Sequence, residues 1–371
     1  MENTLRLGKI WGIPIGIHPS WYLIFALLTW SLATGIFPTQ APGFESVAYW
    51  VLGALTSIMF FASVVAHELG HSIVAIRNGI PVANISLFAF GGVAQIKDEP
   101  NSPGVEFRIA VAGPLVSLVL AGAFGLLYWI DLQQPILAAP TAYLARVNLM
   151  LVLFNMIPAF PMDGGRVFRA IAWKLSGSLV KATRWASAGG QLFGFGLVAL
   201  GIYLAITGNL ANGLWLVFIG WFLRNLANSA RRQVEVRQSL DGVRAGQVAT
   251  AEIPLVSPLT TIHQIVHQYI LVGGQRRFLV VENGQPLGVV TFRDIQRLPQ
   301  NKWRFTPASQ VMVPLEKLTE IDAELPIMEA VKLIQQAPTG LLAVNHGEGR
   351  INLISADDIM NYLNMRKQLG F

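Results

Sequence analysis

Six long stretches almost without charge dictate what the first 230 residues can fold into. They cover 20–37, 47–66 with a helical continuation to 77, 109–130, 140–157, 186–207 and 210–226, with Thr207, Gly208 and Asn209 as the last turn. A helix that crosses a bilayer needs about 20 predominantly apolar residues, because hydrocarbon offers no partner to an unpaired backbone amide. The sequence therefore predicts a polytopic α-helical membrane protein with about six spans. Composition then divides the chain. Of its 371 residues 53% are hydrophobic and 13% charged, against about 25% charged in ordinary globular proteins. Twenty of the Asp, Glu, Lys and Arg residues lie in the first 230 positions, but 28 lie in the remaining 141. The expected domains are a membrane domain over 1–230, a linker over 231–243 and soluble modules over 244–304 and 305–371.

Placement of Lys and Arg sets the sidedness, since cytoplasmic loops carry the basic excess. Arg6 and Lys9 precede the first span. Arg77, Lys97 and Arg108 separate the second from the third. Arg166, Arg169, Lys174, Lys181 and Arg184 separate the fourth from the fifth, and Arg224 ends the sixth. The other connections carry Glu45 and Asp131 and nothing basic. Both termini are expected in the cytoplasm, in the plasma (inner) membrane if the source is prokaryotic. Arg146, inside the fourth span, is the exception. Pro14, His18 and Pro19 interrupt the place where the apolar core of a cleavable signal would begin, so none is expected. The net charge of +6 is accounted for mostly by these loops, and nucleic acid is not expected as a partner.

The chain has no cysteine, so any metal must be held by His, Asp or Glu. At the end of the second span the sequence VVAHELGHSIVA places His67, Glu68 and His71 in an HExxH pattern. Residues four apart share a helix face, so two imidazoles can reach one ion while Glu68 serves as general base. After the fourth span, LFNMIPAFPMDGGRVFRA offers Asp163 among prolines and glycines, a carboxylate able to complete a two-His, one-carboxylate site with an open position. Asn155, seven residues after Asn148, can bond a neighbouring helix. Between Ile80 and Lys97, two short apolar runs around Gly91-Gly92 predict a β-hairpin whose edge could receive an extended segment or shield the site. His18 and the His263/His267 pair are read as structural or solvated rather than as ligands.

On HELGH at 67–71 and NMIPAFPMDGG at 155–165, the first 230 residues resemble the site-2 proteases, zinc intramembrane metalloproteases. The resemblance implies one zinc ion on His67, His71 and Asp163, Glu68 as base and Asn155 as polar helper. It also implies cleavage of a membrane-anchored protein substrate, within or near its transmembrane segment and close to the cytoplasmic face, with the lipid bilayer as surroundings. Past Arg232 an internal repeat appears: VSPLTTIHQIVHQYI with RRFLVVENGQPLGVVTFRDIQRL, then LTEIDAELPIMEAVKLI with GLLAVNHGEGRINLISADDIMNYL. It resembles a tandem cystathionine-beta-synthase (CBS) pair of α/β fold. That family implies ATP, ADP or AMP at Thr291 and Asp294 or Ser355 and Asp358, and a homodimer through the module; plain helix capping explains the same four residues. Two alternatives stay open: a CBS-gated metal or solute transporter, and a zinc-binding membrane protein without catalysis. A transporter would carry repeated broken helices and more intramembrane carboxylates.

Overall fold

The computed structural model describes residues 5–89, 91–96, 98–130, 134–250, 253–345 and 351–369; Lys97 and Asp131 of the sidedness pattern lie outside them. The chain divides into two compact units, Met1–Val234 and Glu235–Phe371.

Among the described residues six helices are long and apolar enough to cross a membrane, over Ser20–Gln40, Ser46–Arg77, Pro103–Ile130, Pro135–Asn155, Leu179–Ile206 and Leu210–Ser239. The first is α1 (Ser20–Ser31) and α2 (Phe37–Gln40) joined by a π-helical turn; the second is α3 (Ser46–Arg77). Then follow α4 (Pro103–Ile130), α5 (Pro135–Asn155), a short amphipathic α6 (Asp163–Ser176), α7 (Leu179–Ile206) and α8 (Leu210–Ser239). At 1.5 Å per residue the 32 residues of α3 rise about 48 Å, more than a bilayer core needs. Its buried side carries Thr56, Ser57, Ser63, His67, His71 and Ser72, which only packing against other helices can accommodate in lipid. Accordingly α3 packs on α4, and α4 on α5 and α6. Arg146, in the middle of α5, has an exposed side chain.

Helices α7 and α8 meet along a seam of glycines. A Cβ at Gly201 would lie 2.6 Å from the Gly213 carbonyl oxygen, and one at Gly220 2.5 Å from that of Gly194. Only hydrogen fits there, so the two backbones touch, the arrangement that replaces hydrophobic force between helices in lipid.

A four-stranded sheet accompanies these helices: β1 (Leu5–Ile10), β2 (Ile13–Ile17), β3 (Val82–Phe88) and β4 (Gly91–Ile96) in that order. The expected hairpin is present as β3 and β4, which pair antiparallel with Phe88 opposite Gly91. Gly91 and Gly92, expected as the turn, belong to β4 itself. The β1–β2 hairpin was not anticipated from sequence; alternate residues Ile13, Ile15 and Ile17 are buried, and β2 joins β3 in parallel.

In the second unit the segment expected as a linker is first the end of α8, which continues to Ser239. Two small sheets follow. One holds β5 (Leu255–Val256), β6 (Arg277–Glu282), β7 (Gln285–Thr291) and β8 (Val313–Pro314); the other holds β9 (Thr319–Asp322), β10 (Leu341–Asn345) and β11 (Ile351–Ser355). Their helices include α9 (Ala245–Val248), the α10 to α11 segment (Ile262–Gly273, interrupted by a π turn), α12 (Phe292–Gln296), α13 (Ala308–Val311), α14 (Ile327–Gln336) and α15 (Ala356–Gln368). The short helices are exchanged between the repeats. Ala245 and Val248 of α9 belong to the core built on Ile327, Leu342 and Ile359, whereas Ala308 of α13 belongs to the core of Ile262, Phe278 and Val290. Backbone bonds repeat the exchange: Ala245 N–H donates to Leu325 O at 2.9 Å and Ala308 N–H to Thr260 O at 2.8 Å.

Candidate active site

Helix α3 carries His67 and His71 one turn apart, as its unbroken apolar helicity requires. Residues 156–162 turn back from α5, and α6 opens at Asp163. The turn fits only because the next two residues are glycine: a Cβ at Gly164 would lie 2.4 Å from the Met156 carbonyl carbon, and one at Gly165 2.4 Å from that of Ala159. Asp163 Oδ2 thereby comes within 3.1 Å of His67 Nε2 and 3.2 Å of His71 Nε2, and the two Nε2 atoms are 3.2 Å apart. Among the described residues these three form a group able to hold a metal ion.

The donor chemistry fits a cation. The His71 Nδ1–H donates to the Ile109 carbonyl at 2.6 Å, which leaves Nε2 of a neutral ring as a lone pair. His67 Nδ1 is hydrogen-bonded to Ser117 Oγ at 2.9 Å. Two nitrogen lone pairs and a carboxylate converging at this range repel one another without a positive charge between them. The separations are close to the ~3.3 Å edge of a tetrahedral zinc site with bonds of about 2.0–2.1 Å.

Glu68, the next residue after His67 on the same turn, lines the same cavity as His67 and Asp163. Its Oε2 accepts the Ala94 N–H of β4 at 3.1 Å, and the strand approaches so closely that a Cβ at Gly92 would lie 2.7 Å from Glu68 Cγ. Strand β4 is an outer strand of its sheet, so its far edge faces this glutamate. A cavity of about 460 Å³ is lined by His67, Glu68, Gly91, Gly92, Asn155 and Asp163, with Phe60, Leu151 and Phe154 among its apolar walls. Those three walls also line an apolar groove of about 560 Å³ along α3 and α5. Asn148 makes the interhelical bond, donating to Ser63 Oγ at 3.3 Å. Asn155 lines the cavity, and its side chain is not spent on another side chain or carbonyl among the described residues.

Helix α4 supplies what sequence reasoning missed. Besides Ile109 and Ser117 it contributes Gly113, where a Cβ would lie 2.2 Å from His71 Nε2 and 2.7 Å from His67 Nε2. A carbonyl, a glycine and a serine carry no motif; the 109, 113, 117 spacing along one helical face is the signal that was present.

The other predicted residues lie in the second unit. Asp294 Oδ2 accepts the Thr291 N–H at 3.1 Å and its hydroxyl at 2.5 Å, closing a capping box. Asp358 does the same for Ser355, both at 2.8 Å, and in addition accepts Thr250 Oγ1 at 2.7 Å and is ion-paired with Arg277. Burial raises the Asp358 carboxyl, and the bonds from Arg277, Thr250 and Ser355 more than offset this and lower it. A cavity of about 500 Å³ beside it is lined by Thr250, Arg276, Arg277, Asp357, Asp358 and Asn361. His18 turns to Ser20 Oγ at 2.8 Å, at the start of α1. The His263 and His267 ring centroids lie 4.3 Å apart with the rings tilted by 34°, and among the described residues no acid completes a metal group with them.

Membrane-length helices, a His-His-Asp group with both histidines buried and a glutamate at the same cavity define an integral membrane metalloprotease. The comparisons agree: the model of peptidase family M50 matches residues 55–132 and 130–200, and that of the CBS domain matches 245–301. The chain is 36% identical to sll0528 of Synechocystis sp., a protein bearing a zinc-metalloprotease name, over 95% of this chain and 93% of that one. It is 31% identical to zinc metalloprotease MJ0392 of Methanocaldococcus jannaschii, over 100% and 99%. The solved site-2 protease from Methanocaldococcus jannaschii aligns at 32% identity and TM-score 0.40, covering 62% of this chain and 95% of that one. The chain belongs to peptidase family M50, the site-2 zinc metalloproteases, and carries a CBS domain.

Proposed function

We propose that this metalloprotease cleaves a membrane-anchored protein within or near its transmembrane segment, close to the cytoplasmic face. The observation that carries the reading is the convergence of His67, His71 and Asp163 beside Glu68, at a cavity that shares Phe60, Leu151 and Phe154 with a groove on α3 and α5. The two histidines and the aspartate hold zinc. The ion, when bound, supplies Lewis acidity that polarises the scissile carbonyl and acidifies the attacking water.

Everything else falls to this chain's own residues. An apolar substrate segment lies in the groove of Phe60, Leu151 and Phe154. Peptide bonds in a helix are shielded by their own hydrogen bonds, so the segment must unwind before attack, and the outer edge of β4 holds it extended by strand addition. Glu68 takes the proton of the attacking water and delivers it to the leaving amine. The Asn155 amide donates to the carbonyl oxygen as charge develops there. The basic residues at the end of α3, at the start of α4 and along α6 support a cytoplasmic position for this site and for both termini.

Regulation by an adenine nucleotide at the CBS pair belongs to the same reading. Arg276 and Arg277 offer charge to phosphate at the cavity beside Asp358, and Thr291 with Asp294 offers the corresponding hydroxyl and acid. Association of two copies through this unit is supported by the exposed Leu271, Val272 and Phe305.

The test reconstitutes the full chain in vesicles with membrane-anchored substrates and compares wild type with Glu68→Gln and Asp163→Ala. Glu68→Gln is expected to keep zinc and lose about 10²–10⁴-fold in rate, Asp163→Ala to lose zinc. Cleavage by Glu68→Gln at the wild-type rate overturns the mechanism. ATP and AMP titrated onto the full chain are expected to bind, less tightly to Asp294→Ala; no binding at millimolar nucleotide removes the regulatory part. Cross-linking of the purified chain reads the dimer.

A further inference from the structure

Glu106 of α4 and Arg169 of α6 form an ion pair in the first unit that neither the HExxH motif nor the chemistry above employs. Glu106 is 1% exposed and Arg169 6%. The Arg169 Nε–H donates to Glu106 Oε1 at 2.5 Å, and Nη2 bonds the same oxygen more closely. The Arg169 guanidinium also lies over the Phe160 ring, 5.1 Å from its centre. The second carboxylate oxygen, Oε2, is buried and accepts no hydrogen bond among the described residues.

Such a pair is a poor source of stability. Desolvating two charges costs several kcal/mol per ion, and apolar residues of similar volume often serve as well or better. What a charged pair supplies that an apolar one does not is a single register between two helices. The two helices here are the ones that matter for the metal group. Helix α4 bonds His71 through the Ile109 carbonyl and His67 through Ser117, and its Gly113 faces both Nε2 atoms. Helix α6 begins with Asp163. The histidines come ready spaced on α3, whereas Asp163 arrives 92 positions later through a non-helical turn. Arg169 grips that aspartate from both sides, through its own helix after it and through Phe160, three residues before it.

We propose that the Glu106–Arg169 pair is the positioning device that holds Asp163 in register with His67 and His71, making α4 the common reference for all three ligands. The inference rests on the reading of these three as the zinc site. Metal ligands whose supports are removed typically lose 10–100-fold in affinity, and the loss here is expected without loss of fold.

The experiment measures zinc affinity of the full chain in detergent by competition with a chelator, alongside thermal unfolding, for wild type, Glu106→Gln, Arg169→Gln and the double variant Glu106→Leu/Arg169→Leu. The double variant leaves no lone buried charge and is expected to unfold near the wild-type temperature, yet to bind zinc at least about tenfold more weakly. The single variants are expected to weaken zinc as well. If the leucine pair or a folded single variant binds zinc as wild type does, the pair is only packing and the proposal is overturned. If wild type itself binds no zinc, it is the reading of the site that fails.

Discussion

Gly113 faces the Nε2 atoms of both His67 and His71 so closely that its missing side chain is part of the site. A methyl group there would stand 2.2 Å from His71 Nε2, well inside van der Waals contact, in the space toward which both imidazoles direct their lone pairs. Gly113→Ala is therefore expected to abolish zinc binding and proteolysis while the spans still assemble. Metal content by mass spectrometry, set against the circular dichroism of the purified protein, checks this. A fully zinc-loaded alanine variant would contradict the geometry.

Gly92 makes the corresponding demand on the catalytic side. A Cβ on β4 would press on Glu68 Cγ at 2.7 Å, close to the carboxylate and not at the far end of a yielding chain. Gly92→Ala is expected to keep zinc at wild-type affinity but to lower kcat by about tenfold or more, since a misplaced base loses most of its 10²–10⁴-fold contribution. Zinc content and single-turnover rates on the same preparation distinguish this outcome from that at Gly113.

Ser117 tests the outer support of the metal group. Removing the hydroxyl that bonds His67 Nδ1 frees the ring to rotate, and Ser117→Ala is expected to weaken zinc about 10–100-fold. Wild type stripped by a strong chelator should lose activity and regain it with added zinc. The alanine variant should need more zinc for the same recovery, read as a rightward shift of the reactivation curve.

Asp358 gives the second unit a pH signature. Its carboxyl is lowered in the folded chain, so the ionised form is favoured by folding. The resulting stability is present above the unfolded value of about 3.9 and disappears as pH falls through the lower folded value. Asp358→Asn breaks a buried pair with Arg277, at about 3–5 kcal/mol. It is expected to destabilise the unit at pH 7 and to lose its effect in strong acid. Denaturant unfolding of the full chain, followed by a probe placed in this unit at pH 7 and in strong acid, measures the difference.

The sequence made the spans readable because lipid imposes one requirement, length of apolar helix, that shows in composition. His67, Glu68 and His71 were readable because a helix fixes their spacing, and Asp163 because charge is so scarce in this part. The supports were hidden for the opposite reason. Ile109 acts through a carbonyl that every residue has, Gly113 through an absent atom, and Arg169 through a partner 63 positions away. The β1–β2 hairpin was missed because its buried side shows in only one five-residue strand before the first span, and Gly91-Gly92 misled as a turn signal because Gly92 is required where β4 approaches Glu68. In the second unit, hydroxyl and acid at 291/294 and 355/358 marked helix starts correctly. That Arg277 would engage one acid and leave the other to its own helix depends on which strand passes nearby, and the sequence does not say.

The exchange of α9 and α13 sets the grain size of folding in the C-terminal unit. A polypeptide ended at 304 would keep α9 with no surface to cover and would leave the Ile262–Phe278 core without its lid at Ala308; one begun at 305 would lack Ala245 and Val248. Neither half is a self-sufficient folding unit. The two should melt in one cooperative transition, and fragments cut between them should recover structure only when mixed, by complementing each other in trans.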